Sequence, residues 1–218
     1  MTLEKDGWDH VPSGLHPDAL AELRDQAFAD GIAGIRCLLD LPSVATTARE
    51  VKRRLIDLGL LPGRAVAIQA IAFNKTATTN WKVAWHQDLM FPFARPVQAP
   101  GFDIPSRKQG VDYARPPLVV LRNLLAARLH LDPCGLDNGP LRVAPGTHLH
   151  GIMSSMDAAS ATAKSRTVEC VARTGDLILM KPLTLHASST ATSPRNRRVL
   201  HFVFHSGEEV PEPWHRSI

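Results

Sequence analysis

The stretch DLILMKPLTLHASSTATSPRNRRVLHFVF, residues 176–204, contains two apolar runs of the kind found in β-strands. The turn residues SPRN come directly before the second run, and no crossover helix is indicated between the two. Two strands joined in this way can pair antiparallel. Further β-type runs occupy residues 65–73, 125–131 and 167–172, with turn signals such as DPCGLDNGP between them. The pattern predicts an antiparallel jelly roll or barrel.

The first part of the chain has a helical pattern instead. Residues 16–31 have Pro17 at a first helical position and Gly31 as a stop, and residues 46–59 repeat an apolar face before Gly59. We therefore expect one domain over residues 1–218, mainly β with flanking helices (α+β). Residues 1–62 form its helical part and residues 63–210 its jelly-roll core.

Residues 92–117 show no period and contain several prolines, which predicts a long loop. Because this segment follows the HxD motif at residues 86–88, we expect a lid over the site. Arg95, Arg107 and Lys108 are the cations that such a lid could present to an anionic substrate.

Composition limits the function classes. The 218 residues are 44% hydrophobic, and the net charge of +4 is scattered rather than striped, which argues against nucleic acid as a partner. Three cysteines without a CxxC pair favour a reduced compartment. The sequence has no signal-peptide pattern and no apolar run of membrane-spanning length. We expect a soluble cytoplasmic protein with a small-molecule substrate and no membrane partner; the oligomeric state is left open.

The chain has three HxD motifs, at residues 16–18, 86–88 and 130–132. Side chains two apart on an extended segment lie on one face and can reach one metal ion, so His86 and Asp88 are candidate ligands. A third ligand is expected from His186, at the end of an apolar run. Two histidines and a carboxylate on one face of a metal form the facial triad of non-haem Fe(II) oxygenases.

Four segments in this order resemble the phytanoyl-CoA dioxygenase family of Fe(II)- and 2-oxoglutarate-dependent oxygenases. They are NWKVAWHQD (80–88), LHLD (129–132), NGPLRVAPGTHLHG (138–151) and GDLILMKPLTLHASS (175–189), followed by RNRRVLHFVF (195–204). The resemblance implies a double-stranded β-helix and an Fe(II) ion bound by His86, Asp88 and His186.

The same resemblance implies that 2-oxoglutarate and O2 are co-substrates. Hydroxylation of an unactivated carbon is the simplest reaction to expect, and desaturation and ring formation are the alternatives. Arg197 would pair with the distal carboxylate of 2-oxoglutarate through its guanidinium fork. Arg198 would point to the other face of the strand. Ser188 is similar in position to a serine that contacts 2-oxoglutarate in relatives.

Other candidates are less specific. Arg128 shares a strand face with His130 and is a possible co-substrate contact; the alternative is a solvent-facing polar stripe. Lys82, Trp85, Gln69 and Arg142 are candidate substrate or pocket residues, and each has an ordinary structural role as its alternative. The competing function classes are a non-oxidative, cupin-like metal-dependent isomerase and a ligand-binding jelly roll, neither of which requires Arg197.

Overall fold

A computed structural model describes residues 2–218. It contains five α-helices and thirteen β-strands among these residues. The helices are α1 (Leu3–Asp6), α2 (Pro17–Gln26), α3 (Pro42–Asp57), α4 (Leu118–Arg122) and α5 (Ser155–Lys164). The strands are β1 (Trp8–Pro12), β2 (Gly34–Ile35), β3 (Val66–Lys75), β4 (Val83–His86), β5 (Phe91–Phe93), β6 (Asp103–Lys108), β7 (Val111–Arg115), β8 (Leu124–His130), β9 (Leu141–Val143), β10 (Val168–Cys170), β11 (Asp176–Met180), β12 (His186–Ser188) and β13 (Arg197–His205).

The strands form three sheets, and every strand pair is antiparallel. The largest sheet has the order β1-β11-β8-β13-β3-β2, the second β10-β9-β12-β4, and the third β5-β7-β6. Apolar side chains of β8 and β11 from the first sheet pack with those of β9 and β10 from the second. Two antiparallel sheets packed face to face in this way form the predicted double-stranded β-helix.

Helices α2 and α3 cover the outer face of the six-stranded sheet. Leu23 of α2 and Val51 and Leu55 of α3 belong to one buried cluster with Leu129 and Phe202 of the sheet. The apolar residues of each helix recur at helical spacing, so each helix has one side that can be buried only against another element. Burial of this side explains why the sequence pattern identified both helices.

The N-terminal part contributes strands as well as helices. β1 adds to the edge of the main sheet beside β11, and β2 pairs with β3 at the opposite edge. These strands are short, so sequence periodicity gave no signal for them. The expected division at residue 62 remains a prediction.

Residues 92–117 differ from the expected loop. β6 and β7 form a hairpin closed by Gln109 and Gly110, both with positive φ (+50° and +81°), which is the geometry of a type I′ turn. β5 pairs with the other edge of β7. Pro92 inside β5, Pro105 inside β6 and a register shift between Asp103 and Ser106 interrupt the alternation, and for this reason the sequence appeared aperiodic.

Side chains along β13 alternate between the helix-covered face of the main sheet and the face toward the interior of the sandwich. Leu200, Phe202 and Phe204 belong to the helix-covered cluster. Arg197 and His201 point to the other side, where they line a cavity. Within residues 2–218, no helix has the length and apolarity needed to cross a lipid bilayer.

We predict that Gly7→Ala destabilises the protein far more than Gly59→Ala does. Both glycines have left-handed backbone conformations, with φ of +75° and +71°. A Cβ at Gly7 would overlap the His148 ring and the Thr184 hydroxyl, whereas a Cβ at Gly59 meets nothing within 4 Å. Backbone strain alone costs about 1 kcal/mol, and the overlap raises the expected cost at Gly7 to about 2–4 kcal/mol. Urea unfolding of both variants measures this difference, and equal costs would contradict it.

Candidate metal centre and its cavity

His86 and His186 face each other across two neighbouring strands. They are direct partners in the register of β4 and β12, and their ring centroids are 4.1 Å apart. The Asp88 carboxylate lies 3.7 Å from Nε2 of His86 and 3.6 Å from Nε2 of His186. The potential ligand atoms of the three residues lie within 4.8 Å of one another. This arrangement can hold one metal ion on one face and leave its other positions open.

Hydrogen bonds fix the orientation of both rings. Nδ1 of His86 lies 2.9 Å from the Ala84 carbonyl, and Nδ1 of His186 lies 2.9 Å from the Thr184 carbonyl. A carbonyl only accepts, so each Nδ1 must carry the proton. In the neutral tautomer with this proton, the lone pair of Nε2 is directed at the centre, as a metal ligand requires.

Gln87 anchors the segment between the two metal-ligand candidates of the HxD motif. Its side-chain amide donates to the carbonyls of Gly151 and Leu183, and its side-chain oxygen accepts from the Met153 backbone N–H. The Asp88 N–H donates to the Pro182 carbonyl. These bonds fix the backbone on both sides of His86 and Asp88, so the two side chains are held in place before a metal binds.

The segment preceding His186 is held by the PGTH motif. The Thr147 hydroxyl donates to the Ala144 carbonyl and accepts from the Leu185 N–H. The Thr184 hydroxyl donates to the Gly7 carbonyl. His186 therefore begins a new strand in the second sheet instead of ending the apolar strand β11, as the sequence had suggested.

The candidate ligands open into a cavity of about 540 Å³. Four further candidates from the sequence also line it: Gln69, Arg128, Ser188 and Arg197. The Gln69 side-chain oxygen, the Arg128 Nε and the Arg197 Nε are buried without a hydrogen-bond partner among residues 2–218. Buried polar atoms of this kind indicate that a ligand completes the site.

Three other candidates lie outside the cavity lining. A regular strand would place Lys82 on the same face as His86, but the strand pairing is bulged: Ser188 pairs with Val83 while His186 pairs with His86. Consequently Trp81 and Val83 line the cavity, and Lys82 is exposed to solvent.

Trp85 and Arg142 contact each other away from the cavity. The Arg142 guanidinium lies 5.2 Å from the centre of the Trp85 ring. Trp85 packs against a small buried cluster outside the cavity, formed by Ala144, Ala158 and Leu185. The cavity lining therefore does not include Lys82, Trp85 or Arg142.

Arg197 is buried in the cavity lining, and the NGPL turn holds it there. The part of the cavity around Arg197 is called its closed end. The Arg197 Nη1 donates to the Gly139 carbonyl. Gly139 has φ of +61°, and a Cβ there would be 2.6 Å from the Ser189 carbonyl oxygen, so only glycine fits this position. Arg198 points to the opposite face and forms a two-point ion pair with Asp132.

Lys75 is a buried cation that the sequence analysis missed. Its Nζ donates to the Ser189 carbonyl at 2.6 Å and lies 3.4 Å from the Ser188 hydroxyl. It also lies 5.3 Å from the centre of the Trp81 ring. Lys75 ends β3 opposite Arg197 in the register, which a search for local motifs cannot reveal.

His201 is a second residue that the sequence did not single out. Its Nε2 lies 3.7 Å from the Asp88 carboxylate, and its Nδ1 lies 3.1 Å from Nη1 of Arg128. Arginine only donates, so Nδ1 accepts and a neutral ring carries its proton on Nε2. In this tautomer the His201 Nε2–H points toward Asp88 and offers no lone pair, so His201 is not a fourth metal ligand.

Burial and charge set the protonation states of the centre. Burial lowers the pKa of His186 to about 4 and that of His201 to about 3, so both rings are neutral near pH 7. Burial alone would raise the pKa of Asp88, but His186, His201, His86 and Arg128 together lower it below its usual range. The centre thus combines one carboxylate with the neutral rings of His186 and His201, and a neutral imidazole is the form of histidine that binds a metal.

The other two HxD motifs do not form comparable clusters. His16 and Asp18 are exposed at the start of α2, where the His16 ring accepts from the Asp18 N–H. His130 is buried, whereas Asp132 pairs with Arg198 and Arg24 on the other face. Tertiary packing therefore distinguishes the motif at residues 86–88 from the other two.

Comparisons with known proteins agree with this geometry. The model of the family described as phytanoyl-CoA dioxygenase (PhyH) matches residues 3–199. A comparison with curated protein sequences finds no match.

Solved structures with the same fold have low sequence identity to this chain. AviO1 from Streptomyces viridochromogenes Tue57 is 20% identical with a TM-score of 0.67, covering 97% of this chain and 95% of that one. EctD from S. alaskensis, solved with 2-oxoglutarate and 5-hydroxyectoine, is 19% identical with a TM-score of 0.67, covering 99% and 80%. The non-haem α-ketoglutarate-dependent carbocyclase SnoK from nogalamycin biosynthesis is 14% identical with a TM-score of 0.68, covering 97% and 84%.

We predict that His86→Ala, Asp88→Ala and His186→Ala each abolish stoichiometric binding of Fe(II) or Ni(II), because each change removes one of three ligands. His16→Ala and Asp18→Ala are the matched control, since they alter an exposed HxD motif. Isothermal titration under anaerobic conditions measures the binding. Retained binding in the first set, or loss of binding in the control, would contradict the assignment.

We also predict a pH-dependent stability due to Lys75. Burial, with the nearby Arg197 charge, lowers its pKa from 10.5 to about 8. The unfolded chain keeps the proton up to about pH 10.5, so the folded chain binds fewer protons between pH 8 and 10.5. The destabilising contribution of Lys75 is therefore full below pH 8 and is relieved as the pH rises.

Urea unfolding of the native protein and of Lys75→Met, at intervals from pH 7 to 10, measures this effect. The free energy of unfolding of the native protein should rise relative to that of the variant, by at most about 1.4 kcal/mol per pH unit. Parallel curves would show that Lys75 has an ordinary pKa.

Proposed function

We propose that this chain, which belongs to the phytanoyl-CoA dioxygenase family, is an Fe(II)- and 2-oxoglutarate-dependent oxygenase. We further propose that it hydroxylates a small molecule at an unactivated carbon, with release of succinate and CO2. One observation carries the proposal: a two-histidine, one-carboxylate cluster and a buried arginine with a free donor share one cavity. A non-oxidative isomerase would require the histidine–carboxylate cluster but not the buried arginine, and a ligand-binding jelly roll would require neither.

The metal-ligand candidates suit Fe(II). Nε2 of His86, Nε2 of His186 and an oxygen of Asp88 would hold the ion, and all three residues line the cavity. His201 and Gln87 support this set without competing for the metal. Bound Fe(II), with 2-oxoglutarate and O2, supplies the oxidising power to break an unactivated C–H bond.

The closed end of the cavity suits a dicarboxylate. Arg197 provides a buried guanidinium whose Nε lacks an acceptor within residues 2–218, and Lys75 places a second cation beside it. Ser188 offers a hydroxyl on the same side. The distal carboxylate of 2-oxoglutarate would supply the missing acceptors, and the pair would be strong because water is excluded from it.

Arg128 lies between this end and the metal centre. Its Nη1 bonds to His201, and its Nε has no partner in the described chain. Burial and the Arg197 charge lower its pKa to about 10, so it stays protonated at neutral pH. We assign Arg128 to the metal-proximal carboxylate of 2-oxoglutarate.

The volume of about 540 Å³ suits a drug-sized or smaller substrate. The hairpin of β6 and β7 places Ile104, Lys108 and Tyr113 in the lining. We propose that this hairpin closes over bound substrate and limits the access of water. Reaction outcomes vary among similar folds, as the carbocyclase SnoK shows, so hydroxylation is the part of the proposal that product analysis must test.

The cellular compartment is proposed from the state of the cysteines. Cys37, Cys134 and Cys170 are all free thiols, and the last two are buried. Unpaired cysteines suit a reducing compartment, which supports a cytoplasmic location.

The test of the function is anaerobic addition of Fe(II) and 2-oxoglutarate. We predict a weak visible charge-transfer band that disappears in His186→Ala, and substrate-stimulated release of succinate once O2 is admitted. Absence of the band from the folded native protein would contradict the proposal.

The same band measures the role of Arg197. We predict that Arg197→Leu weakens 2-oxoglutarate binding by about 2–4 kcal/mol, because it breaks a desolvated charge pair. Arg198→Leu is the matched control: its ion pair with Asp132 lies on the other face, so stability falls but the affinity for 2-oxoglutarate does not. Equal effects at the two positions would refute the assignment of Arg197.

A further inference from the structure

The charge of the cavity lining is unbalanced. Four cationic side chains line it, Arg36, Lys108, Arg128 and Arg197, against the single carboxylate of Asp88. Under the proposed function, 2-oxoglutarate brings two carboxylates to Arg128 and Arg197. The remaining pair, Arg36 and Lys108, has no anionic counterpart in the lining.

Arg36 and Lys108 reach the cavity from different elements but meet at one residue. Arg36 follows β2 at the edge of the main sheet, and Lys108 ends β6 beside the type I′ turn. The Lys108 Nζ lies 5.4 Å from the centre of the Tyr113 ring. Arg36, Lys108 and Tyr113 all line the same cavity, so both cations face one space beside the phenol.

Nearby cations are neutralised within the protein, in contrast to these two. Arg95 pairs with Glu212, and Arg115 pairs with Asp103. Arg107 donates to the Gly110 carbonyl of its own turn, 4.0 Å from the Asp112 carboxylate. Neither Arg36 nor Lys108 has a side-chain hydrogen bond or ion pair within residues 2–218. Their donors are therefore available to a ligand.

Much of the remaining cavity lining is apolar. It includes Ile71, Phe73, Trp81 and Met90, with Ile104 at the rim. Ile104 is 54% exposed and has φ of +48°, a strained conformation for a β-branched residue. An exposed apolar side chain held in a strained conformation at a cavity rim fits a contact with a ligand.

We propose that the substrate is an amphipathic anion. Its carboxylate, sulfate or phosphate group is bound by Arg36 and Lys108 beside Tyr113, and its apolar body lies against Met90 and Ile104. The reacting carbon then points toward the metal centre. The reaction at that carbon rests on the proposed function, whereas the binding of the anion does not.

Two dyes with the same apolar body test the anion requirement. 8-Anilinonaphthalene-1-sulfonate carries a sulfonate, and N-phenyl-1-naphthylamine is its uncharged counterpart. Each is titrated by fluorescence into the native protein, with and without anaerobic Fe(II) and 2-oxoglutarate. We expect one site that binds the sulfonate at least about tenfold more tightly than the neutral dye.

Matched variants locate the charge. Arg36→Gln and Lys108→Gln should each weaken sulfonate binding about tenfold and leave neutral-dye binding unchanged. Arg107→Gln is the control, because it removes a cation from the same hairpin that does not line the cavity. Thermal unfolding of each variant confirms that the fold is intact.

The results separate this inference from the proposed function. Equal affinity for the two dyes, or unchanged sulfonate binding in both Arg36→Gln and Lys108→Gln, would overturn the anionic-substrate proposal. Loss of charge discrimination in Arg107→Gln would overturn it as well. A missing charge-transfer band with dye discrimination intact would overturn only the oxygenase proposal. Displacement of the sulfonate dye by 3-phenylpropanoate or by phenyl phosphate then identifies the preferred anionic group.

Discussion

The antiparallel register that sets His86 directly opposite His186 is the constraint on which the rest of the site depends. In that register the two imidazoles are neighbours across β4 and β12, and Asp88 follows on the same side of the chain. A shift of one residue in either strand would turn one imidazole out of the cavity. Much of the surrounding structure therefore acts on this register: Gln87 fixes the first strand, and Thr147 and Thr184 fix the start of the second.

The interior of this sandwich contains charges that a purely structural core would avoid. Lys75, Arg128 and Arg197 are withdrawn from water near one another, and Asp88 is the one carboxylate in the cavity lining. Desolvation of like charges costs stability, as the lowered pKa values of all three cations show. Such a cost is typical of a site whose anionic ligands complete the charge balance.

The outer part of the cavity combines rigid and strained elements. The β6–β7 hairpin is closed by two residues with positive φ, and it presents Lys108 and Ile104 at the rim. This hairpin pairs with β5, which begins three residues after Asp88, so the rim and the candidate metal ligands belong to one continuous set of paired strands.

The sequence by itself determined the long helices, the main strands and the candidate metal ligands, because periodicity and turn chemistry are local properties of the chain. It also separated Arg197 from Arg198, since a strand alternates its faces. Tertiary structure alone decided the rest. The bulge in β4 brought Val83 to the cavity and left Lys82 in solvent, and packing moved Trp85 and Arg142 to an outer cluster. His201 and Arg36 reach the cavity from parts of the chain distant in sequence, and Lys75 lies opposite Arg197 across two paired strands. Their proximity follows from the pairing of strands across the sheets, which no local pattern records.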